Sequence, residues 1–516
     1  MDNTLTRQAA NATRASRFAA IGPLFVALAA TAAHLATVTR YGVFRDEFYY
    51  LACGRHLAWG YVDHPPLVAV LARATTAWFG DSLLAIRLPA ILCGLLTIWV
   101  ADAIVRRLGG AWFARLVTSL CIAVAPHFLF VFHILSMNGP EVLLWTLGAW
   151  ALLVAVEDER PAAWLAFGAI CGLGLLNKHS MLVFGLGAFV GLLATRARRQ
   201  LTRPWPWAAA LVAAGLFAPH VVWQAQHGWP TAEFIANAQR EKIAALAPLD
   251  FVVSVAMMLN PFTLPVWLAG VIALFAVRRR SVPRALGWLF LVAFAVFLVQ
   301  RSKAYYVTPV FPVAFAAGGV ALERWTARFE RARMGVPAML LASGLMLAPL
   351  ALPVLDVGRF TAYSARFGLQ SPAAERHELG VLPQHFADMF GWEQLAQAVS
   401  RVYLALPDAE RETARVFAQN YGQAGALEYY AARYPLPRVV SPHNNYWYWG
   451  PGPDGGTLII VGGRREDHLK ALEQVEQVSA TSCDYCMPYE NNQPIFVGRG
   501  WKVSLQAVWV REKHFI

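Results

Sequence analysis

Long apolar runs separated by short polar breaks dominate the first two-thirds of the chain. Eleven of them, at about residues 17–39, 82–105, 112–132, 140–156, 162–177, 180–195, 206–223, 251–277, 285–300, 305–323 and 336–354, are on the scale of the roughly 20 residues that carry a helix across a bilayer. In hydrocarbon every backbone N–H and C=O needs a partner within its own helix or in a closed barrel. The pattern therefore predicts an all-α polytopic membrane domain with about eleven transmembrane helices. Asn177-Lys178-His179 provides only a tight polar break, and the two runs it separates are open to another division. The first run follows a long basic leader containing Arg7, Arg14 and Arg17. It exceeds the apolar core of a cleavable signal and is expected to remain as a helix.

The pattern changes after about Pro353. Arg415-Val416-Phe417-Ala418-Gln419-Asn420 and Thr457-Leu458-Ile459-Ile460-Val461 read as buried strands. Gly422 to Arg433, with Ala424, Leu427 and Tyr430 at helical spacing, reads as a helix, and Gly450 to Gly456 as a loop. Residues 1–354 are thus expected to form the membrane domain and residues 355–516 a small soluble α/β domain.

Composition strengthens this picture. The chain has 516 residues, 57% hydrophobic and 15% charged, against about 25% charged in soluble domains; its mean hydropathy is +0.43. The net charge of +12 would suit a polyanion, but the cations do not form one stripe. They cluster between apolar runs, at Arg196, Arg198, Arg199 and Arg203 and at Arg278, Arg279, Arg280 and Arg284, so they report orientation and not nucleic-acid binding. An inside N-terminus puts these clusters, with Arg106, Arg107, Arg115, Arg324, Arg328, Arg331 and Arg333, in the cytoplasm. Residues 40–81, 224–250 and 355–516 then fall outside. Cys53, Cys93, Cys121 and Cys171 read as packing residues. Cys483 and Cys486 form a lone Cys-x-x-Cys without the second pair a zinc site wants, and either redox state is open.

The first outer loop concentrates candidate chemistry. Asp46 and Glu47 follow the first helix directly, ringed in sequence by Tyr49, Tyr50, Trp59, Tyr61 and Trp78, and Asp63-His64-Pro65-Pro66 adds an acid and a histidine on a rigid turn. A carboxylate near apolar rings can serve as a general base. Transfer of a sugar from a lipid phosphate needs one such base and cations that hold the departing phosphate. Arg45, Lys178 with His179, and Arg301 and Lys303 with Tyr305 and Tyr306 are the candidates for that clamp. Marking a membrane interface or binding headgroups would use the same cations.

These residues resemble protein O-mannosyltransferases (glycosyltransferase family 39) of the GT-C membrane fold, whose bacterial relatives include the lipid A aminoarabinose transferases. The resemblance rests on Arg45-Asp46-Glu47, Tyr61-Val62-Asp63-His64-Pro65-Pro66-Leu67, Gly174-Leu175-Leu176-Asn177-Lys178-His179-Ser180, and Ser302-Lys303-Ala304-Tyr305-Tyr306 with Pro309 and Pro312. Together these cover about residues 40–325. It implies an inverting glycosyltransferase fed by a polyprenyl-phosphate-linked sugar, with Asp46 as catalytic base, Glu47 supporting it, Lys303 on the carrier phosphate and His64 near the reacting centre. Arg45, Tyr61, Asp63, Lys178, His179, Arg301, Tyr305 and Tyr306 complete the expected substrate-binding set, and no metal or cofactor is expected. The rarity of lysine beside arginine is what a GC-rich bacterial genome gives, which points to an undecaprenyl carrier and an inner membrane with the active face in the periplasm.

Two departures bear on that resemblance. Where relatives often carry an acid after the third helix, this chain reads Ser136-Met137-Asn138-Gly139-Pro140-Glu141, leaving Glu141 as a replacement or Asn138 as a neutral variant. No loop is long enough for the β-trefoil with which eukaryotic relatives meet a protein acceptor, which speaks against a protein acceptor; the sequence itself names none among lipid A, envelope glycan and protein hydroxyls. The amide and aromatic run Ser441 to Gly450 suits either acceptor recognition or docking against the membrane part. The rival reading is a polyprenyl-lipid transporter or flippase. That class places ionisable groups at mid-membrane, whereas charges here sit mostly at helix ends, Asp102 among them.

Overall fold

The computed structural model describes residues 21–242, 246–276, 281–329, 333–368 and 378–516. Arg7, Arg14 and Arg17 of the basic leader, the triplet Arg278 to Arg280, and Arg331 lie outside the described residues. The chain divides into two compact units. One takes in the described parts of 1–38, 84–221 and 245–355, the other those of 39–83, 222–244 and 356–516.

The first unit is helical. Among the described residues five helices are long and apolar enough to cross a membrane: Leu83–Arg107, Asn138–Glu157, Pro204–Gln226, Ser281–Val299 and Ala304–Trp325. Two bent pairs raise the number to as many as seven. The protein is therefore a multi-pass membrane protein, although several expected runs are broken. The run at 112–132 divides into Trp112–Ala123 and Pro126–Val131, because Pro126 lacks an N–H and keeps the residue before it extended. The run at 251–277 bends by 95° between Pro248–Met258 and Pro261–Ala276. Asn260 there takes a left-handed φ of 70°, with Pro261 next. Met181–Leu193 meets Arg196–Thr202 at 107°. Asp102, the acid noted at the second span, is buried and held by Arg115 (Nε–Oδ1 2.5 Å) and Arg106 (3.2 Å). Small residues allow close helix contacts in hydrocarbon, where apolar burial alone drives no association. A Cβ on Gly270 would strike the Ala314 carbonyl, and one on Gly318 the Val266 carbonyl.

The second unit contains the five-stranded sheet. Its strands are β1 (Arg415–Ala418), β2 (Arg438–Val440), β3 (Leu458–Val461), β4 (Leu472–Ala480) and β5 (Pro494–Trp501), in the order β2-β1-β3-β5-β4. β1 runs parallel to β2 and β3, while β5 is antiparallel to β3 and β4. The two strands read from sequence are β1 and β3, and the expected helix is Tyr421–Tyr430. The segment expected as a long first loop instead carries two helices, Arg45–Arg55 and Leu67–Phe79. Helix Tyr421–Tyr430 lies directly on Arg45–Arg55: a Cβ on Gly425 would stand 3.0 Å from the Phe48 carbonyl oxygen. That contact brings the tail residues that follow β1 to the first acidic pair.

Candidate active site

The first turn of Arg45–Arg55 gives its charged residues different surroundings. Glu47 reaches back so that its Oε2 accepts the Phe44 N–H at 2.8 Å, and the residue is fully buried. A carboxylate at the third helical position that bonds the capping amide satisfies an orphan donor and fixes the turn. Arg45 donates from Nη1 to the Tyr489 hydroxyl at 2.6 Å and lies 3.6 Å from Asp388 Oδ1, with its guanidinium 5.5 Å from the Tyr421 ring centre. Asp46 Oδ1 accepts the Tyr421 hydroxyl at 2.8 Å and meets Arg45 Nε at 3.5 Å, while 30% of its side chain stays exposed. Asp46 is thus held by two donors and still reachable.

The Asp63-His64 turn lies deeper. Asp63 Oδ1 accepts the Tyr49 hydroxyl at 2.8 Å, and His64, fully buried, uses Nδ1 against the Pro65 carbonyl at 2.8 Å. Burial raises the Asp63 carboxyl above its ordinary range against the opposing pull of His64. Burial likewise lowers the His64 imidazole, although the Asp63 carboxylate favours its protonation. Tyr61 stacks on His64 at 4.6 Å, donates its hydroxyl to the Cys53 carbonyl at 3.0 Å and accepts the Ala58 N–H at 3.1 Å. Asn445 Oδ1 takes the Val62 N–H at 2.7 Å. Tyr61 and His64 therefore hold the loop from beneath, without exposed surface.

The membrane-embedded unit carries a second cluster. Lys178 Nζ donates to Glu141 Oε2 at 2.7 Å and Asn138 Oδ1 at 2.8 Å, and stands 4.8 Å from the Tyr306 ring centre and 5.3 Å from that of Tyr305. The Ser180 hydroxyl also donates to Glu141. Glu141 and Asn138 thus both accept from Lys178. His179 points elsewhere, its Nε2 3.0 Å from that of His220. Arg301 is exposed at a left-handed φ of 48°, and Lys303, half-buried, precedes the turn Ala304–Val310. Among the described residues no group of three His, Cys, Asp or Glu side chains is placed to hold a metal ion.

Residues 63–223 match the family model for dolichyl-phosphate-mannose-protein mannosyltransferases. That stretch includes Asp63, His64, Lys178 and His179 and begins after Asp46. Two crystal structures of ArnT from Cupriavidus metallidurans share the architecture. The one bound to undecaprenyl phosphate is 18% identical over 93% of this chain and 97% of its own, with a TM-score of 0.61. The apo form is 16% identical over 92% and 97%, with a TM-score of 0.62. The arabinofuranosyltransferase AftD from Mycobacteria is 13% identical over 93% of this chain and 40% of its own, with a TM-score of 0.52. A search of curated proteins gave no significant match. The chain has the GT-C glycosyltransferase fold.

Within that GT-C fold, several neighbours of Asp46 and Arg45 escaped the sequence reading. Asp388 and Tyr489 sit in no recognisable motif and reach Arg45 only through tertiary structure. Tyr421 falls between the strand and the helix read from the sequence, and nothing there ties it to Asp46. Half-buried Glu490, its carboxyl raised by desolvation, accepts from Asn420 and Gln423 at 2.8 Å each and braces the segment that presents Tyr421. The Ser441 to Gly450 run, read as an exposed sugar-binding surface or a docking face, is buried from Ser441 to Tyr446. Within it Asn445 Oδ1 accepts the Val62 N–H of the Asp63 loop and Asn444 Oδ1 accepts the Ile516 N–H.

Proposed function

We propose that the protein is an inverting glycosyltransferase that moves a sugar from a polyprenyl-phosphate carrier to a hydroxyl of an envelope lipid, glycan or protein outside the cytoplasm. The observation that carries this reading is Asp46: a reachable carboxylate, fixed by Tyr421 and Arg45, in a fold shared with an ArnT structure bound to undecaprenyl phosphate. Asp46 takes the acceptor's proton as its oxygen attacks the anomeric carbon. The carbon–phosphate oxygen bond breaks in line, and its electron pair leaves with the carrier phosphate. A single displacement inverts the anomeric centre.

Lysines and an arginine counter the charge on that phosphate. Lys303 and Arg301 are assigned to it directly. Lys178, with two of its three ammonium donors on Glu141 and Asn138, keeps one for an anion. Glu47, Tyr61, Asp63 and His64 position the Asp46 segment. Counting each bent pair as one span and letting the shorter apolar helices Ile21–Thr37, Trp112–Ala123, Pro161–Asn177 and Gly335–Leu350 also cross would make eleven crossings; with the N-terminus inside, residues 355–516 would then face the periplasm of a bacterial inner membrane.

Purified protein in lipid nanodiscs should consume a polyprenyl-phosphate-linked sugar in the presence of an envelope extract and release free carrier phosphate, with the product's anomeric configuration inverted by NMR. Movement of an intact donor across vesicles without cleavage would replace this reading with the transporter.

A further inference from the structure

Cys483 and Cys486 lie outside everything assigned so far. The Cys486 backbone N–H donates to Cys483 Sγ at 3.1 Å, and the Cys486 thiol points at the Cys483 carbonyl at 3.5 Å. Cys483 is half-exposed and Cys486 buried. The pair packs on the start of the helix Trp392–Ala405: a Cβ on Gly391, its capping residue, would stand 3.1 Å from both Cys483 Sγ and Cys486 Cβ. A backbone amide and a helix N-terminus both favour a thiolate over a thiol. The Cys483 N–H is in turn fixed on Asn491 Oδ1 at 2.9 Å. A staple is a poor account of this pair. The loop it would close spans only two intervening residues, and a crosslink restrains the unfolded chain least where the loop is shortest.

We infer that Cys483 and Cys486 form a dithiol–disulfide exchange site, in which half-exposed Cys483 attacks and buried Cys486 resolves. The Cys483 thiolate attacks one sulfur of an external disulfide, such as an extracytoplasmic thiol oxidoreductase or glutathione disulfide. A mixed disulfide forms, the donor's S–S bond breaks, and its other half leaves as a thiolate. Cys486, having given its proton to solvent, attacks the Cys483 sulfur and expels the second half. Two protein thiols are oxidised and one external disulfide is reduced. The electrostatics agree with this division of roles: the Cys483 thiol is lowered to about 7, first by its contact with the Cys486 thiol, whereas Cys486 is raised by that same contact. The remaining cysteines, Cys53, Cys93, Cys121 and Cys171, are buried. The turn leads within three residues to Tyr489, the partner of Arg45.

The test is intact-mass spectrometry of the full-length protein, reduced, freed of reductant and exposed to glutathione disulfide at pH 7. The wild type should lose two hydrogen atoms and keep no adduct. Cys486→Ser should accumulate one glutathione adduct, and Cys483→Ser should remain unmodified over the same time. A stable adduct on the wild type, no reaction at all, or equal adduct formation by the two variants would overturn the assignment. None of these readings requires sugar transfer, so the outcome is independent of the function proposed above.

Discussion

Asp46 and Glu47 are neighbours in the same helical turn, yet they have separate duties. Glu47 is consumed by the Phe44 amide, whereas Asp46 faces Tyr421 with part of its carboxylate open. Removing the Tyr421 hydroxyl takes a hydrogen bond from a charged acceptor, worth about 1.5–3 kcal/mol. Tyr421→Phe should therefore lower single-turnover transfer at least about tenfold while carrier binding is retained. Lys178→Ala leaves the buried Glu141 carboxylate with the Ser180 hydroxyl but without its cation, and breaking a buried ion pair costs about 3–5 kcal/mol. Its melting temperature in detergent should drop accordingly, and restoration by Lys178→Ala with Glu141→Gln would identify the unpaired charge as the cause. His64 supplies a pH test. Its folded pKa is lowered, so neutral His64 is fully accommodated above about 6.5. Below that, protons favour the unfolded chain, by up to about 1.4 kcal/mol per pH unit until the folded pKa is reached. The stability advantage of the wild type over His64→Gln should shrink as pH falls from 7 to 5. An advantage constant with pH would show that burial does not hold His64 neutral.

At the scale of elements, periodicity located the helices and strands, and covalent geometry decided where they broke. Pro126 and Pro261 were legible as residues but not as bends, because an apolar run alone does not reveal whether neighbouring helices accommodate a broken one. The two short helices within 40–81 were hidden for another reason: Arg45–Arg55 is mostly polar and aromatic and lacks a clean apolar face, so packing and not periodicity makes it a helix. Its packing against Tyr421–Tyr430 rests on Gly425. Gly425→Val would place methyl groups where the Phe48 backbone now lies, an overpacking cost of about 1–3 kcal/mol. It should also draw Tyr421 away from Asp46. Transfer should fall as in Tyr421→Phe together with a lower melting temperature. A variant that melts lower but transfers normally would separate the helix contact from the chemistry.

Across the whole molecule, the multi-pass membrane character and the GT-C fold were legible in the chain, because hydropathy and the ordered motifs are local signals. The surroundings of Asp46 were not. Arg45 and Asp46 lie hundreds of residues from Asp388, Tyr421 and Tyr489 and meet them only through folding. Orientation remains tied to the cation bias, and cysteines introduced near Gly80 and Gly452 should react with an impermeant maleimide on intact cells while one near Arg279 should not. Reversed labelling would place the acidic cluster in the cytoplasm. The central claim is that Asp46 takes the acceptor's proton, and it is tested most directly by single-turnover transfer with Asp46→Asn, alongside a separate measurement of carrier-lipid binding. Asparagine keeps the size and reach of the side chain but accepts no proton at neutral pH, so transfer should fall by about 10²–10⁴-fold with binding preserved. Near-normal transfer by the correctly folded variant, or a loss confined to binding, would contradict the account.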